Sequence, residues 1–453
     1  MTEIGSDAGS AAAVWYDLTA GQMDFWEEFQ FHPDQPVSTV AHVIAFNGVL
    51  DEAAMLSAIR QTVAEADTLA LRFRETEDGR VQQRVDPARV PQVRQLDLRQ
   101  EPDPEAAARR LMRADIDAPL DLRHAPLSAQ MLLRLGERRW FWYSRGHHII
   151  LDGYSMSLIE KRVATLYAAA LGQGEVGRPF DRLADFLREE RDYAQSPAFQ
   201  TDRSYWRDTL APHRGDLPVL QKGAEDYGLA PLTADFAMGP DFDAALRDAA
   251  ARLGMNWADL LTLLSAIWLS LLDPGRRPAN GPVWLPYMSR MGSISANIPA
   301  MVVNILPLIV DPQPDEPLPT LIGRLSRHFR RHRRHGRYRI EDIARDCGIP
   351  SGQRFHFTPL VNVMPFAPPR FHGLETERLV LAAGPGDGFN VSFTGGGTGS
   401  GLIASIEADP TIGATEFSGR VTAFRQWIGS VLRDPENAAL VPVTATTPTS
   451  RVS

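Results

Sequence analysis

The stretch best equipped for chemistry is His147-His148-Ile149-Ile150-Leu151-Asp152-Gly153-Tyr154-Ser155, two histidines with an aspartate and a glycine close behind. An imidazole titrates near neutrality and can take or share a proton. Neighbouring side chains of extended backbone point to opposite faces, so only one of the pair faces a given cavity and the other is structural. Alternation alone leaves open which of His147 and His148 that is. Asp152 sits before a helix start, where a carboxylate meets backbone N–H groups or pairs with a cation, and Ser155 is the expected N-cap. Gly153 permits a tight turn, and its N–H is a candidate oxyanion donor by the geometry that binds anions at helix N-termini. A metal would need a third or fourth ligand, and no further His/Cys/Asp cluster with metal spacing lies nearby, so none is expected.

A strand and a helix must hold this turn. Residues 139–144, Arg-Trp-Phe-Trp-Tyr-Ser, read as a buried aromatic strand, and Met156, Ile159, Val163, Leu166 and Ala170 line one face of the helix that follows. Upstream, a strand over 40–46 leads into a helix opened by Asp51, with further strands over 81–85 and 127–135 and a helix over 105–115. The cluster from Gly172 to Pro179 is the richest turn signal in mid-chain and marks a boundary. Beyond it, helices over 181–193, 202–210 and 241–253 and one capped by Asn256 alternate with strands over 232–238, 283–287, 302–310 and 360–363. The class is α/β, a layered sandwich of two units: a lobe over 14–176 and a second over 177–437, with flexible tails over 1–13 and 438–453.

With 453 residues, 44% hydrophobic and 23% charged, the chain can build two ordinary cores. A single cysteine, Cys347, excludes an internal disulfide and a thiolate-rich zinc site, which fits a reducing cytoplasm. The first residues have neither a basic nor an apolar region of a secretion signal, and the most apolar run, 257–272, falls short of the roughly 20 residues that cross a bilayer. A cytoplasmic monomer with no membrane contact is expected.

Two segments resemble each other, Val303-Asn304-Ile305-Leu306-Pro307-Leu308 and Val361-Asn362-Val363-Met364-Pro365-Phe366. Asn304 and Asn362 either satisfy backbone at strand ends or line a cleft and bind amide groups of a long substrate arm. Residues 324–339 hold eight Arg, three His and no acid, so the remainder of a chain of net charge −9 carries −9 − 8 = −17. A solvated helix face, an acidic protein partner or a phosphate-bearing cofactor suits that single basic run. Nucleic acid is not expected, because the chain as a whole is acidic and shows no recognition module.

His147-His148 through Asp152-Gly153 is also the core signature H-H-x-x-x-D-G of nonribosomal peptide synthetase condensation domains, and the chain resembles that family along its length. Leu18-Thr19-Ala20-Gly21-Gln22 with Trp26 is similar to the opening motif, and Glu65-Ala66-Asp67-Thr68-Leu69 through Arg72-Phe73 to the second, without its usual Arg-His-Glu. Pro119-Leu120-Asp121-Leu122, Ser204-Tyr205-Trp206 and Asn304-Ile305-Leu306-Pro307-Leu308 fall in family order. Asp152-Gly153-Tyr154, Tyr338-Arg339 and the segment around Asn362 look most like siderophore-synthetase members.

The resemblance implies two chloramphenicol-acetyltransferase-like lobes in a V-shaped pseudodimer around a central tunnel. It implies donor and acceptor peptidyl carrier proteins as partners, each presenting a thioester on a 4'-phosphopantetheine arm, no covalently bound cofactor, and an adjacent adenylation domain if the chain belongs to a synthetase. The reaction implied is amide formation between a donor acyl or peptidyl group and an acceptor amine. His148 then serves as base or positioner with Gly153 beside it, Asp152 pairs with Arg290 from the other lobe, and Asn304, Ser155 and Asn362 meet substrate. Heterocyclising relatives would replace the histidines, and an epimerising relative would need a Glu-containing motif not found. A free acyltransferase using coenzyme A, or forming an ester, and a non-catalytic recruitment domain remain competing readings.

Overall fold

In a computed structural model of the chain, residues 14–224, 230–272, 281–384, 386–395, 401–436 and 438 are described. The expected tails 1–13 and 438–453 lie outside them, apart from Ala438. Two sheets organise the molecule. The first runs Glu375–Ala383, Thr39–Asn47, Arg139–His147, Ser128–Arg134, Val93–Asp97 in spatial order, with only the last pair parallel. The second runs Asn304–Ile309, Pro282–Tyr287, Leu360–Met364, Phe389–Gly395, Leu402–Ala408, Leu232–Ala237, and its strand Leu360–Met364 lies parallel to both neighbours.

Strand alternation decides where the first sheet's layers go. Ile44, Phe46, Leu132, Trp140 and Trp142 turn one way, onto a core shared with helices Glu52–Glu65 and Gly153–Ala170. Val43, Ala45, Leu133, Phe141 and Tyr143 turn the other way, onto helix Pro104–Ile116. Being covered on both faces explains why Arg139–His147 reads as a continuous apolar run. In the second half, Trp257–Leu271 is apolar nearly all round because it is buried within a single core shared with the second sheet and helices Pro240–Arg252, Leu318–Arg334 and Ala414–Arg433.

One strand departs from the sequence reading. Glu375–Ala383 lies within the residues assigned to the second lobe, yet it pairs with Thr39–Asn47 along its whole length and forms the edge of the first sheet. The division at 176/177 therefore does not separate two continuous units, since the chain crosses back. Helix Ala414–Arg433 and strands Phe389–Gly395 and Leu402–Ala408 were also not foreseen.

Candidate active site

The two sheets meet at the turn after Arg139–His147. Gly146 lets the chain close there, because a Cβ on it would stand 2.5 Å from Leu151 Cδ1. The His147 N–H donates to the Leu127 carbonyl and that of His148 to the Ser38 carbonyl, so the two side chains still alternate as strand residues do. His147 points into the core at 1% exposure, and its Nδ1 accepts the Ile149 N–H at 3.0 Å, which leaves the proton on Nε2. Burial, with His148 and Arg145 adding to it, pushes its pKa down to about 3. His147 is a neutral strut of the turn.

His148 is only half-buried. Phe25 of helix Ala20–Phe31 stacks on its ring, centroids 5.3 Å apart and planes 4° from parallel. Desolvation lowers its pKa, opposed by the Asp152 charge and by the carbonyls of Ala383 and Leu151. At neutral pH the imidazole is uncharged and free to accept a proton. The opening motif has a role here that sequence patterning did not reveal. Thr19 caps its helix in a reciprocal box with Gln22, and Gln22 donates onward to the Ile149 carbonyl at 3.1 Å while trading hydrogen bonds with Gln83. The motif thus braces the histidine turn from below and lays Phe25 against it.

Asp152 itself is the N-cap of Gly153–Ala170, which corrects the expectation for Ser155. Its carboxylate accepts from the Ser155 N–H and Oγ–H at 2.9 and 2.7 Å, from the N–H groups of Val302 and Val303 at 3.0 Å each, and from Arg290 Nη2 at 2.9 and 2.8 Å. Arg290 also donates to the carbonyls of Ser295, Ile298 and Ala300. Both charges are almost wholly buried, at 2% and 4% exposure. Burial acts to raise the Asp152 pKa, but Arg290 and the Ser155 hydrogen bonds hold it below the usual carboxylate range. One carboxylate therefore joins the helix start of the first half to the 290–303 segment of the second.

Ser155 belongs to that cluster. It is fully buried and gives its hydroxyl to Asp152 and shares it with the Ala300 carbonyl, so it has nothing left for a substrate. Of the two readings for Asn304 the structure shows the backbone-satisfying one: its Nδ2 donates to the Gly336 and Tyr338 carbonyls at 2.9 Å each and its Oδ1 accepts the Ile340 N–H, all buried. The amide fixes the 336–340 turn. Asn362 differs. It is half-buried, its side chain has no hydrogen bond among the described residues, and it shares a strand face with Met364. Met364 Sδ lies 3.2 Å from where a Gly153 Cβ would be. Gly153 occupies the first helical position, where an N–H has no intrahelical acceptor. A cavity of about 400 Å³ opens between Trp15, Leu18, Phe186, Asn304 and Arg339, and its lining does not include His148.

The basic run divides. Arg324 pairs with Asp311 and Glu316, Arg333 with Asp259, Arg337 with Glu189 and Glu190, and Arg339 with Glu341. Arg327, Arg330, Arg331 and Arg334 are exposed on one face of Leu318–Arg334 and have no carboxylate partner among the described residues. His332 is buried beside Trp206, with neither ring nitrogen hydrogen-bonded among the described residues, and desolvation pushes its pKa to about 3. Unfolded histidines take a proton near pH 6.5, whereas His147 and His332 resist until about 3, so the unfolded chain binds more protons between those values. Stability should accordingly fall as pH drops through that window, by up to about 1.4 kcal/mol per pH unit per group. His332→Leu is expected to flatten the decline of Tm between pH 7 and 4; an unchanged slope would trace the acid sensitivity to other groups.

Among the described residues no group of three or more His, Cys, Asp or Glu could hold a metal, and no helix is long and apolar enough to cross a membrane. The family profile described as "Condensation domain" matches residues 13–370. A dimodular nonribosomal peptide synthase of Bacillus subtilis is 35% identical over 405 residues, covering 88% of this chain and 17% of that protein. Enterobactin synthase component F of Escherichia coli (strain K12) is 32% identical, covering 77% of this chain and 27% of the relative. The chain thus spans well under a third of either curated relative. Among solved structures, VibH, an NRPS condensation enzyme, superposes with a TM-score of 0.83 at 28% identity, covering 94% of this chain and all of that one. The first condensation domain of the calcium-dependent antibiotic synthetase, in complex with a substrate analogue, gives 0.80 at 29% identity, covering 94% and 98%.

Proposed function

This chain belongs to the condensation-domain family of nonribosomal peptide synthetases, two-lobed acyltransferases that form amide bonds, and from that premise we propose that it joins a donor acyl or peptidyl thioester to the amine of an acceptor aminoacyl thioester. Both substrates are presented on phosphopantetheine arms of carrier proteins. The observation that carries the reading is the His148 imidazole, half-buried, stacked on Phe25 and kept neutral chiefly by desolvation. When the amine attacks the thioester carbonyl, His148 takes or shares its proton, an effect worth about 10²–10⁴ in rate. Holding the two arms end to end contributes at least as much. The developing oxyanion has the first helical N–H, that of Gly153, within the same turn. Asp152 and Arg290 act through structure, clamping the turn across the two halves. Asn362, on the strand face shared with Met364, is the asparagine with donors and an acceptor left for a substrate amide.

A siderophore product is the reading favoured for the assembly line, on the motif variants at Tyr154, Arg339 and Asn362 together with the enterobactin-synthase relatives. The activity is tested by loading two carrier proteins and following mass from donor to acceptor by intact mass spectrometry. No transfer with any donor–acceptor pair, or equal rates with coenzyme A thioesters, would replace this reading with a recruitment domain or a free acyltransferase.

The unpaired face of Leu318–Arg334 supports docking of an acidic carrier by charge. Arg330→Glu with Arg334→Glu should slow transfer from carrier-bound substrate, and added salt should slow the wild type in the same direction. Small thioester mimics should be unaffected. Equal losses on both kinds of substrate would make the run structural, and no loss would leave it a solvated face.

A further inference from the structure

Strand Glu375–Ala383 ends against the catalytic turn. Beyond its last residue, Gly384 donates its N–H to the Thr39 carbonyl at 2.9 Å and takes φ +82°. A Cβ on Gly384 would stand 2.7 Å from Cδ2 and 3.2 Å from Nε2 of His148. The first distance is shorter than carbon atoms tolerate, so the backbone at 384 lies directly along the imidazole edge that bears Nε2. The rest of the ring is occupied: Phe25 covers a face, and Nδ1 is buried with no hydrogen-bond partner among the described residues. The carbonyls of Ala383 and Leu151 also act on the ring, and the edge that bears Nε2 is bounded at 384 by a residue with no side chain.

We infer that Gly384 is a positioning residue for amide transfer, its missing side chain keeping the approach to His148 Nε2 open for the acceptor amine. The inference rests on the reading of His148 as the group that shares the amine's proton. It also ties the crossover strand to the site, since the chain returns to the first sheet with its end bordering the reacting imidazole. A methyl at 384 would fill that space or push the ring off Phe25, and a displacement of about 1 Å at a reacting group can cost on the order of a hundredfold in rate.

A glycine at φ +82° could be needed for backbone reasons alone, and Gly373 separates the two causes. It has φ +72°, lies on the approach to the same strand, and a Cβ there would meet nothing within 4 Å among the described residues. Gly384→Ala and Gly373→Ala therefore carry the same kind of conformational cost, and only the first touches His148. For both variants, for His148→Ala and for wild type, Tm, kcat and KM with carrier-bound substrates would be measured, together with the His148 ring resonances by NMR. Similar losses in Tm are expected for the two glycine variants, with kcat reduced about tenfold or more and the His148 resonances shifted in Gly384→Ala alone. Should Gly384→Ala fail to fold, Gly384→Asn, which tolerates positive φ better, takes its place with the same expectation. Equal kcat in the two glycine variants, with His148→Ala inactive, overturns the inference and leaves the role of His148 standing. An active His148→Ala overturns that role instead.

Discussion

His148→Ala is expected to abolish transfer between carriers while leaving Tm close to that of the wild type. The half-buried ring lies against Phe25 and the strand end at Gly384 instead of inside a core cluster, so its removal costs less packing than that of a core side chain. His147→Ala should show the opposite pattern. It deletes the acceptor of the Ile149 N–H inside the core and leaves a cavity, a loss of about 1–3 kcal/mol, with transfer reduced only as far as the turn loosens. The pH dependence follows from the neutral ring: desolvation sets the His148 pKa below its ordinary value, so wild-type transfer should stay level from pH 8 down to about 6.5 and decline at lower pH as the base is protonated. Near-normal transfer by His148→Ala would remove the imidazole from the chemistry and leave alignment of the two arms as the source of rate.

Breaking the Asp152–Arg290 pair should give the largest loss of stability. Removing either partner strands a buried charge, at a cost of about 3–5 kcal/mol. Asp152→Ala also frees the N–H groups of Val302, Val303 and Ser155, and Arg290→Ala the carbonyls of Ser295, Ile298 and Ala300, so both single variants should be strongly destabilised. The double variant should lose clearly less than the sum, because the second removal eliminates the charge that the first left alone. Denaturant titrations of the wild type, both single variants and the double variant measure this directly. Strict additivity would mean that the two side chains do not interact in solution. Asp152→Asn is the informative intermediate: it keeps the shape and most acceptor geometry, so its loss reports the charge.

Much of the site was legible because its signals are local. The alternation of a strand separates His147 from His148, a glycine after an aspartate marks a helix start, and an aromatic run with no turn residues makes a buried strand whatever surrounds it. Placing the N-cap at Ser155 instead of Asp152 was an error of a few residues at an element end, where both residue types are good caps and only backbone geometry chooses. The pairing of Asp152 with Arg290 came from resemblance, since no local rule links residues 138 apart.

The sequence by itself determined the chemistry available, an imidazole at a strand-to-helix turn, two layered α/β halves, and a basic helix in an acidic chain. Tertiary structure alone decided which polar groups remain free for that chemistry. Asn304 and Asn362 stand in similar segments, yet one is consumed by the carbonyls of Gly336 and Tyr338 and the other is not. Half of the arginines in the run are neutralised, Arg333 and Arg337 by acids distant in the chain, and half are left on one face. Gly384 borders His148 only because Glu375–Ala383 pairs with a strand more than 300 residues earlier. The physical reason is common to all three: a hydrogen bond, an ion pair or a steric contact depends on which surfaces meet, and strand pairing between distant segments is chosen by the burial of whole faces, which no window of neighbouring residues contains.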